Sequence, residues 1–161
     1  MREVVLDGES MTIEEIMLIG NSDVKFSLSQ KSRTIMNDSR SHVESIVEGE
    51  QTVYGINTGF GSLSNVRIAP DELELLQRNL VLSHACGIGE PMAPVATLRM
   101  MAIRASSLAK GASGIRPEVV DTMLDLVNSM NAPVVPKIGS LGASGDLAPL
   151  AHMAMALIGD C

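Results

Sequence analysis

The chain has 161 residues and a net charge of −7, with 45% apolar residues and only 2% aromatic ones. A chain this acidic and this poor in aromatics lacks both the cationic footprint and the stacking platforms that nucleic-acid binding needs. Its apolar content and modest charge exclude disorder and fit a helical core filled by 11 Met together with Leu, Ile, Val and Ala.

Residues 4–6 and 24–28 read as short extended pieces, and 7–23 reads as a short helix between turns. The first ten residues carry acids early and no continuous apolar stretch, which argues against a signal peptide. Over 31–48, Ile35, Met36, Val43, Ile46 and Val47 recur at helical spacing. Ser29 is the expected N-cap and Gly49 the expected stop. Pro70, Asp71, Glu72 and Glu74 mark the start of a helix that carries Leu73, Leu76 and Leu80 toward His84. Val95, Leu98, Ala102, Ala105 and Ala109 predict a helix over 93–110 with a small-residue face, ended by Gly111. Pro117 opens a further helix. The last is expected from near Asp146 to Ile158. Its apolar run, interrupted by Pro149 and His152, is too short to span a bilayer. Two cysteines, Cys86 and Cys161, do not make a disulfide framework, and a reducing, cytoplasmic setting is the expectation.

Glycine is unevenly placed. Ten of the 14 glycines fall in four groups, at 55, 59 and 61, at 87 and 89, at 111 and 114, and at 139, 142 and 145. One glycine per helix end suffices for capping, so pairs and triplets imply loops with further demands.

Three segments carry candidate chemistry. The first is Tyr54-Gly55-Ile56-Asn57-Thr58-Gly59-Phe60-Gly61, which holds the only Tyr and one of the two Phe. Aromatics in such a loop either plug the core or serve a cleft, where a phenol can give or accept a proton. The second is Ser83-His84-Ala85-Cys86-Gly87-Ile88-Gly89. His84 and Cys86 alone are weak evidence for a metal site. His42 and His152 read as hydrogen-bonded structural residues. The third is Gly139-Ser140-Leu141-Gly142-Ala143-Ser144-Gly145-Asp146, before Leu147-Ala148-Pro149-Leu150. It is not a phosphate loop, because Asp146 stands where a Lys is needed and would repel phosphate. In a tightly bent Ala-Ser-Gly, the Gly145 nitrogen can attack the Ala143 carbonyl carbon. Loss of water from the ring and from Ser144 then leaves an exocyclic methylidene, an electrophile that no ordinary side chain supplies.

With these motifs in this order, the sequence resembles the aromatic amino acid ammonia-lyases. YGINTGFG, LQRNLVLSHACGIG, GASGIR and GSLGASGDLAPLAHM carry the resemblance, which runs from about Leu6 to Gly159. Ser83-His84 is similar to the pair found in the histidine ammonia-lyases. The resemblance implies a mainly α fold, the N-terminal part of a fumarase/aspartase-like architecture, with short β pieces near the N-terminus and the active-site loops. It implies elimination of ammonia from L-histidine to give trans-urocanate. The implied prosthetic group is 4-methylidene-imidazol-5-one (MIO), formed autocatalytically from Ala143, Ser144 and Gly145 with no external cofactor. It implies Tyr54 as the base, His84 as a contact to the substrate side chain, and Asp146 as an aid to cyclisation or a loop anchor. Phe60 and Gly61 would shape the site. A homotetramer with sites shared between subunits is implied as well. Another aromatic amino acid ammonia-lyase, a 2,3-aminomutase, and a fragment that assembles without chemistry are the competing expectations.

Family members are much longer than this chain. The Asn, Gln and Arg of the family site, including the Arg that binds the substrate carboxylate, have no counterpart here. Residues 1–161 are therefore expected to be the N-terminal, MIO-bearing domain with an incomplete half-site. Association with a further copy or with the missing C-terminal portion is expected to cover the apolar surface this leaves.

Overall fold

The computed structural model describes residues 2–9, 11–21, 23–139 and 147–160. The chain is mainly helical. In order, the elements are β1 (Arg2–Leu6), α1 (Ile13–Met17), β2 (Val24–Leu28), α2 (Gln30–Glu48), α3 (Pro70–His84), β3 (Ile88–Pro91), α4 (Pro94–Leu108), α5 (Pro117–Asn128), β4 (Pro136–Ile138) and α6 (Leu147–Ile158). A single 3₁₀ turn, Gly61–Leu63, lies between α2 and α3.

Local chemistry explains the boundaries. The Ser29 hydroxyl accepts from the Ser32 amide at the start of α2. Pro70, Pro94 and Pro117 open α3, α4 and α5, where a missing N–H costs nothing and the fixed φ suits a helix. The segment 7–23 is a short helix between turns, as expected. Only Ile13–Met17 is helical, started by a capping box between Thr12 and Glu15 and followed at once by turns through Gly20 at φ +106°. The extended piece expected at 4–6 begins earlier, at Arg2.

β1 and β2 pair in parallel, with Val4 opposite Phe26 and Leu6 opposite Leu28. The Asn128 side chain extends this ribbon as a strand would. Its Oδ1 accepts from the Phe26 amide and its Nδ2 donates to the Phe26 carbonyl, both at 2.8 Å. The core lies between α4 and α5 and is closed by the ribbon, by α2 and by α6. Leu98, Met101, Ala102 and Ala105 of α4 meet Val120, Met123, Leu124 and Val127 of α5, with Met36, Phe26 and Met153 around them. Four buried methionines thus fill the volume that aromatics occupy elsewhere.

The glycine pair at 111 and 114 shows what the clusters are for. Both have positive φ, and a Cβ would stand 2.5 Å from Ile35 Cγ2 at Gly111 and 2.3 Å from Val43 Cγ2 at Gly114. The α4–α5 connection therefore lies directly on α2. Arg33 and Asp121 add a two-bond ion pair between α2 and α5, at 2.8 Å for each bond.

Candidate functional site

The loop that holds Tyr54 is built around two buried polar side chains. Asn57 Oδ1 accepts from the Val53 amide at 2.8 Å, and its Nδ2 donates to the Gln51 and Ile46 carbonyls at 2.7 and 3.3 Å. Thr58 pairs with Arg67, and the Gly59 amide donates to the Val66 carbonyl. Gly59 is held so closely that a Cβ would fall 2.5 Å from Leu63 Cβ. On this frame, the Ile56 amide closes a turn onto the Val53 carbonyl, and Gly55 sits in it at φ +78°. Tyr54 occupies the turn and points outward, 62% exposed. Its ring meets Phe60 edge to face, with centroids 5.9 Å apart and planes at 73°. The phenol is thus oriented by its neighbour rather than buried as a core plug. Gly61 follows at φ +59° and starts the 3₁₀ turn.

His84 ends α3. Its Nδ1 lies 2.8 Å from the Leu80 carbonyl, and the Ser83 hydroxyl donates to the same carbonyl at 2.9 Å. A carbonyl only accepts, so Nδ1 donates, and in the neutral ring Nε2 is then the acceptor. The helix leaves His84 through a tight turn. The Cys86 amide donates to the His84 carbonyl at 2.8 Å around Ala85 at φ −77°, ψ 57°, the geometry of an inverse γ-turn.

The chain after this turn meets both ends of the segment that carries the Ala-Ser-Gly. β3 pairs antiparallel with β4, Ile88 opposite Ile138 and Pro91 opposite Pro136, and the Met92 amide donates to the Val135 carbonyl beyond them. The Gly87 amide donates to His152 Nε2 of α6 at 3.0 Å. Gly139, at the end of β4, packs on the first turn of α6, where a Cβ would stand 2.9 Å from Pro149 Cδ and 3.2 Å from Ala148 Cβ. Ala143, Ser144, Gly145 and Asp146 lie outside the described residues. The residues that flank their segment, Gly139 and Ala148–Pro149, are in contact.

α3 and α6 run antiparallel and are tied a second time, between the middle of α3 and the residues just beyond α6. Arg78 Nε and Nη2 donate to Asp160 Oδ2 and Oδ1 at 2.8 and 2.7 Å. These hydrogen bonds push the Arg78 guanidinium up from its ordinary value. Tyr54 and Phe60 are therefore brought together, and His84 is brought to the flanks of 140–146. Among the described residues, no hydrogen bond joins the Tyr54 loop to the end of α3.

Three residues were not singled out as site residues by sequence: Asn57 and Thr58, which carry the loop, and Gly87, which admits His152. Their signal was present but faint. A buried Asn in a glycine loop is a common way to satisfy turning backbone, and a glycine that does not cap a helix implies a close approach.

Comparison with known proteins identifies the family and the fold. The aromatic amino acid lyase family model matches residues 11–161. The histidine ammonia-lyase of Shouchella clausii is 51% identical over 157 residues, 98% of this chain and 31% of that protein. The solved histidine ammonia-lyase of Trypanosoma cruzi superposes at a TM-score of 0.88 with 38% identity, covering 100% of this chain and 30% of that one. A tyrosine aminomutase of Streptomyces globisporus superposes at 0.87 with 34% identity, over 98% of this chain and 29% of its own. This chain thus spans about a third of the length of the relatives it matches. With the motifs in order, the helical fold shared and the family model matched over nearly every residue, the chain belongs to the aromatic amino acid lyase family.

Proposed function

We propose that residues 1–161 supply the electrophile-forming segment, the base and the side-chain contact of a histidine ammonia-lyase, which converts L-histidine to trans-urocanate and ammonia. One observation carries the reading. The turn after His84 is joined to both flanks of the Ala-Ser-Gly segment, by β3–β4 pairing on one side and by Gly87–His152 on the other.

The residues fit the MIO group. Ala143, Ser144 and Gly145 are the residues it is made from, and the residues on either side of their segment, Gly139 and Pro149, meet. Once formed, MIO supplies an electrophile toward the substrate amine. The chain's own residues do the rest. His84 Nε2, left as an acceptor by the Nδ1 bond to Leu80, accepts an N–H of the substrate imidazole and orients it. Tyr54, as the phenolate, takes the β-proton on its hydroxyl oxygen. Phe60 holds the phenol ring edge to face, and Gly61 lets the loop turn away beside it. Asp146 steadies the Ala-Ser-Gly segment or assists its closure. In this reading the chain is an incomplete half-site. It acts in a homo-oligomer of the full-length protein, a homotetramer in a cytoplasmic setting, with the substrate-carboxylate contact supplied from outside residues 1–161. No helix among the described residues is long and apolar enough to cross a membrane.

The test has two parts. Intact mass shows the loss of two waters when MIO forms, and its absence sinks the electrophile. A chain carrying the missing two thirds is then mixed or joined with these residues and given L-histidine. Urocanate supports the lyase reading, a β-amino acid product assigns an aminomutase, and no product from a chain that has lost its waters refutes both.

A further inference from the structure

We propose that His152 is a positioning residue of the elimination reaction. It fixes the turn that carries His84 against the helix that follows the Ala-Ser-Gly segment. The inference rests on the histidine ammonia-lyase reading above.

The contact is specific in its chemistry. The Gly87 N–H donates to His152 Nε2 at 3.0 Å across 65 positions of sequence. An accepting Nε2 requires a neutral ring with its proton on Nδ1. His152 is half-buried on the second turn of α6, and Gly87 is half-buried too. Gly87 is not a glycine for conformational reasons, since its φ is not positive. It is a glycine for space. A Cβ there would stand 3.0 Å from His152 Nε2, 3.2 Å from His152 Cδ2 and 3.2 Å from Pro136 Cβ. The backbone at Gly87 is therefore gripped between α6, which follows 140–146, and β4, which precedes it.

This grip is transmitted to His84 over a very short path. Only Ala85 and Cys86 intervene, and they are locked by the inverse γ-turn from the His84 carbonyl to the Cys86 amide. The other tie between α3 and α6, Arg78–Asp160, lies six residues before His84, about 9 Å along the helix. It is also half exposed at Arg78. The β3–β4 pairing starts one residue beyond Gly87 and ties the same stretch to β4, on the near flank of the segment. His152 is the contact nearest to His84 that reaches the far flank of the electrophile-forming segment. A substrate held at its amine and at its imidazole needs the spacing of those two contacts fixed to a fraction of an ångström.

The experiment uses the full-length enzyme containing these residues, with His152→Phe and His152→Gln. Phe keeps an aromatic ring without the acceptor. Gln places an amide oxygen near the position of Nε2. Three quantities are read in each: the two-water mass loss, amide exchange over 85–91, and KM and kcat for L-histidine. His152→Phe is expected to lose both waters as the parent does, to exchange faster over 85–91, and to raise KM about fivefold to tenfold, the scale of one neutral hydrogen bond. Its kcat is expected to fall as well, because the imidazole contact is no longer held at a fixed distance from the electrophile. His152→Gln is expected to restore both exchange protection and KM. Unchanged exchange or unchanged KM in His152→Phe overturns the positioning role. If His152→Phe does not fold, His152→Gln decides: parent-like values support the acceptor, and a defect in KM and exchange overturns it. An unmutated enzyme that has lost its waters yet leaves histidine intact overturns the parent reading itself, which no variant is needed to see.

Discussion

Arg78 and Asp160 face each other in a two-bond ion pair, Nε to Oδ2 and Nη2 to Oδ1, that fastens the residues just beyond α6 to the middle of α3. The planar fork of the guanidinium matches the carboxylate, a geometry that Lys does not reproduce. Arg78→Lys and Asp160→Asn are each expected to speed amide exchange over 155–160, and added salt is expected to do so in the parent. The double variant should be no worse than either single one, because both remove the same contact. An additive double variant would show that one of the residues acts elsewhere.

Asn57 satisfies three backbone groups at once and is buried while doing so. Asn57→Ala leaves the Val53 amide and the Gln51 carbonyl without those partners, a loss of about 2–3 kcal/mol if two groups stay unsatisfied. The chain has one Tyr and no Trp. Tyrosine fluorescence therefore reports on the Tyr54 loop alone. In Asn57→Ala, the fluorescence transition in urea is expected to precede the helical circular-dichroism transition. Coincident transitions would mean that the loop and the helices unfold as one.

What the sequence made legible follows from how local each signal is. α2 through α5 were readable because Ser29 or a first-position proline announces each start and an apolar period follows. α1 is the short helix between turns that 7–23 suggests, bounded by the Thr12–Glu15 capping box and the turn through Gly20. β3 and β4 carried almost no signal. They are three or four residues long, contain Pro91 and Pro136, and are exposed or half-buried without alternation, so only their pairing defines them. The candidate site behaves alike. Tyr54 and His84 stand out by rarity and motif, whereas the links that place them, Asn57 to Val53 and Gly87 to His152, depend on contacts that no periodicity encodes.

Gly111 joins two demands that a single substitution separates. Its φ is +72°, and a Cβ there would meet Ile35 Cγ2 at 2.5 Å. Gly111→Ala is expected to destabilise by about 1–2 kcal/mol from backbone conformation alone, with a further cost from the clash. Adding Ile35→Ala removes the Cγ2 clash and leaves the backbone cost together with the closer approach to the carbonyl carbon and Cβ of residue 35, at 3.1 and 3.2 Å. In a double-mutant cycle by urea denaturation, the pair should therefore be less destabilised than the two single effects summed. A sum that is simply additive would show that Ile35 already moves aside.

Asn128 substitutes for a missing strand beside Phe26, giving and accepting one hydrogen bond of 2.8 Å each. Asn128→Asp keeps the acceptor for the Phe26 amide but turns a carboxylate oxygen toward the Phe26 carbonyl. Two acceptors then face each other near a buried residue. Asn128→Asp is expected to be at least as destabilising as Asn128→Ala, about 1–3 kcal/mol. Urea denaturation of the two variants checks the order. A milder Asn128→Asp would mean that only the amide of Phe26 matters.

Tyr54 tests the division between forming the electrophile and using it. Tyr54→Phe removes one hydroxyl and retains a ring that can meet Phe60 edge to face. The parent side chain is 62% exposed, so stability should change by less than about 0.5 kcal/mol. The ring closure uses only atoms of Ala143, Ser144 and Gly145, so the two-water mass loss should be unaffected. Turnover of L-histidine by the completed enzyme should fall by a factor of about 10² or more, the usual contribution of a positioned base. Ser144→Ala is the complementary variant. It retains Tyr54 but has no hydroxyl to lose, so the two-water loss should vanish together with turnover. If Tyr54→Phe keeps full activity, the proton is taken by another group. If it loses the mass change as well, the phenol acts in closing the Ala-Ser-Gly segment rather than on the substrate.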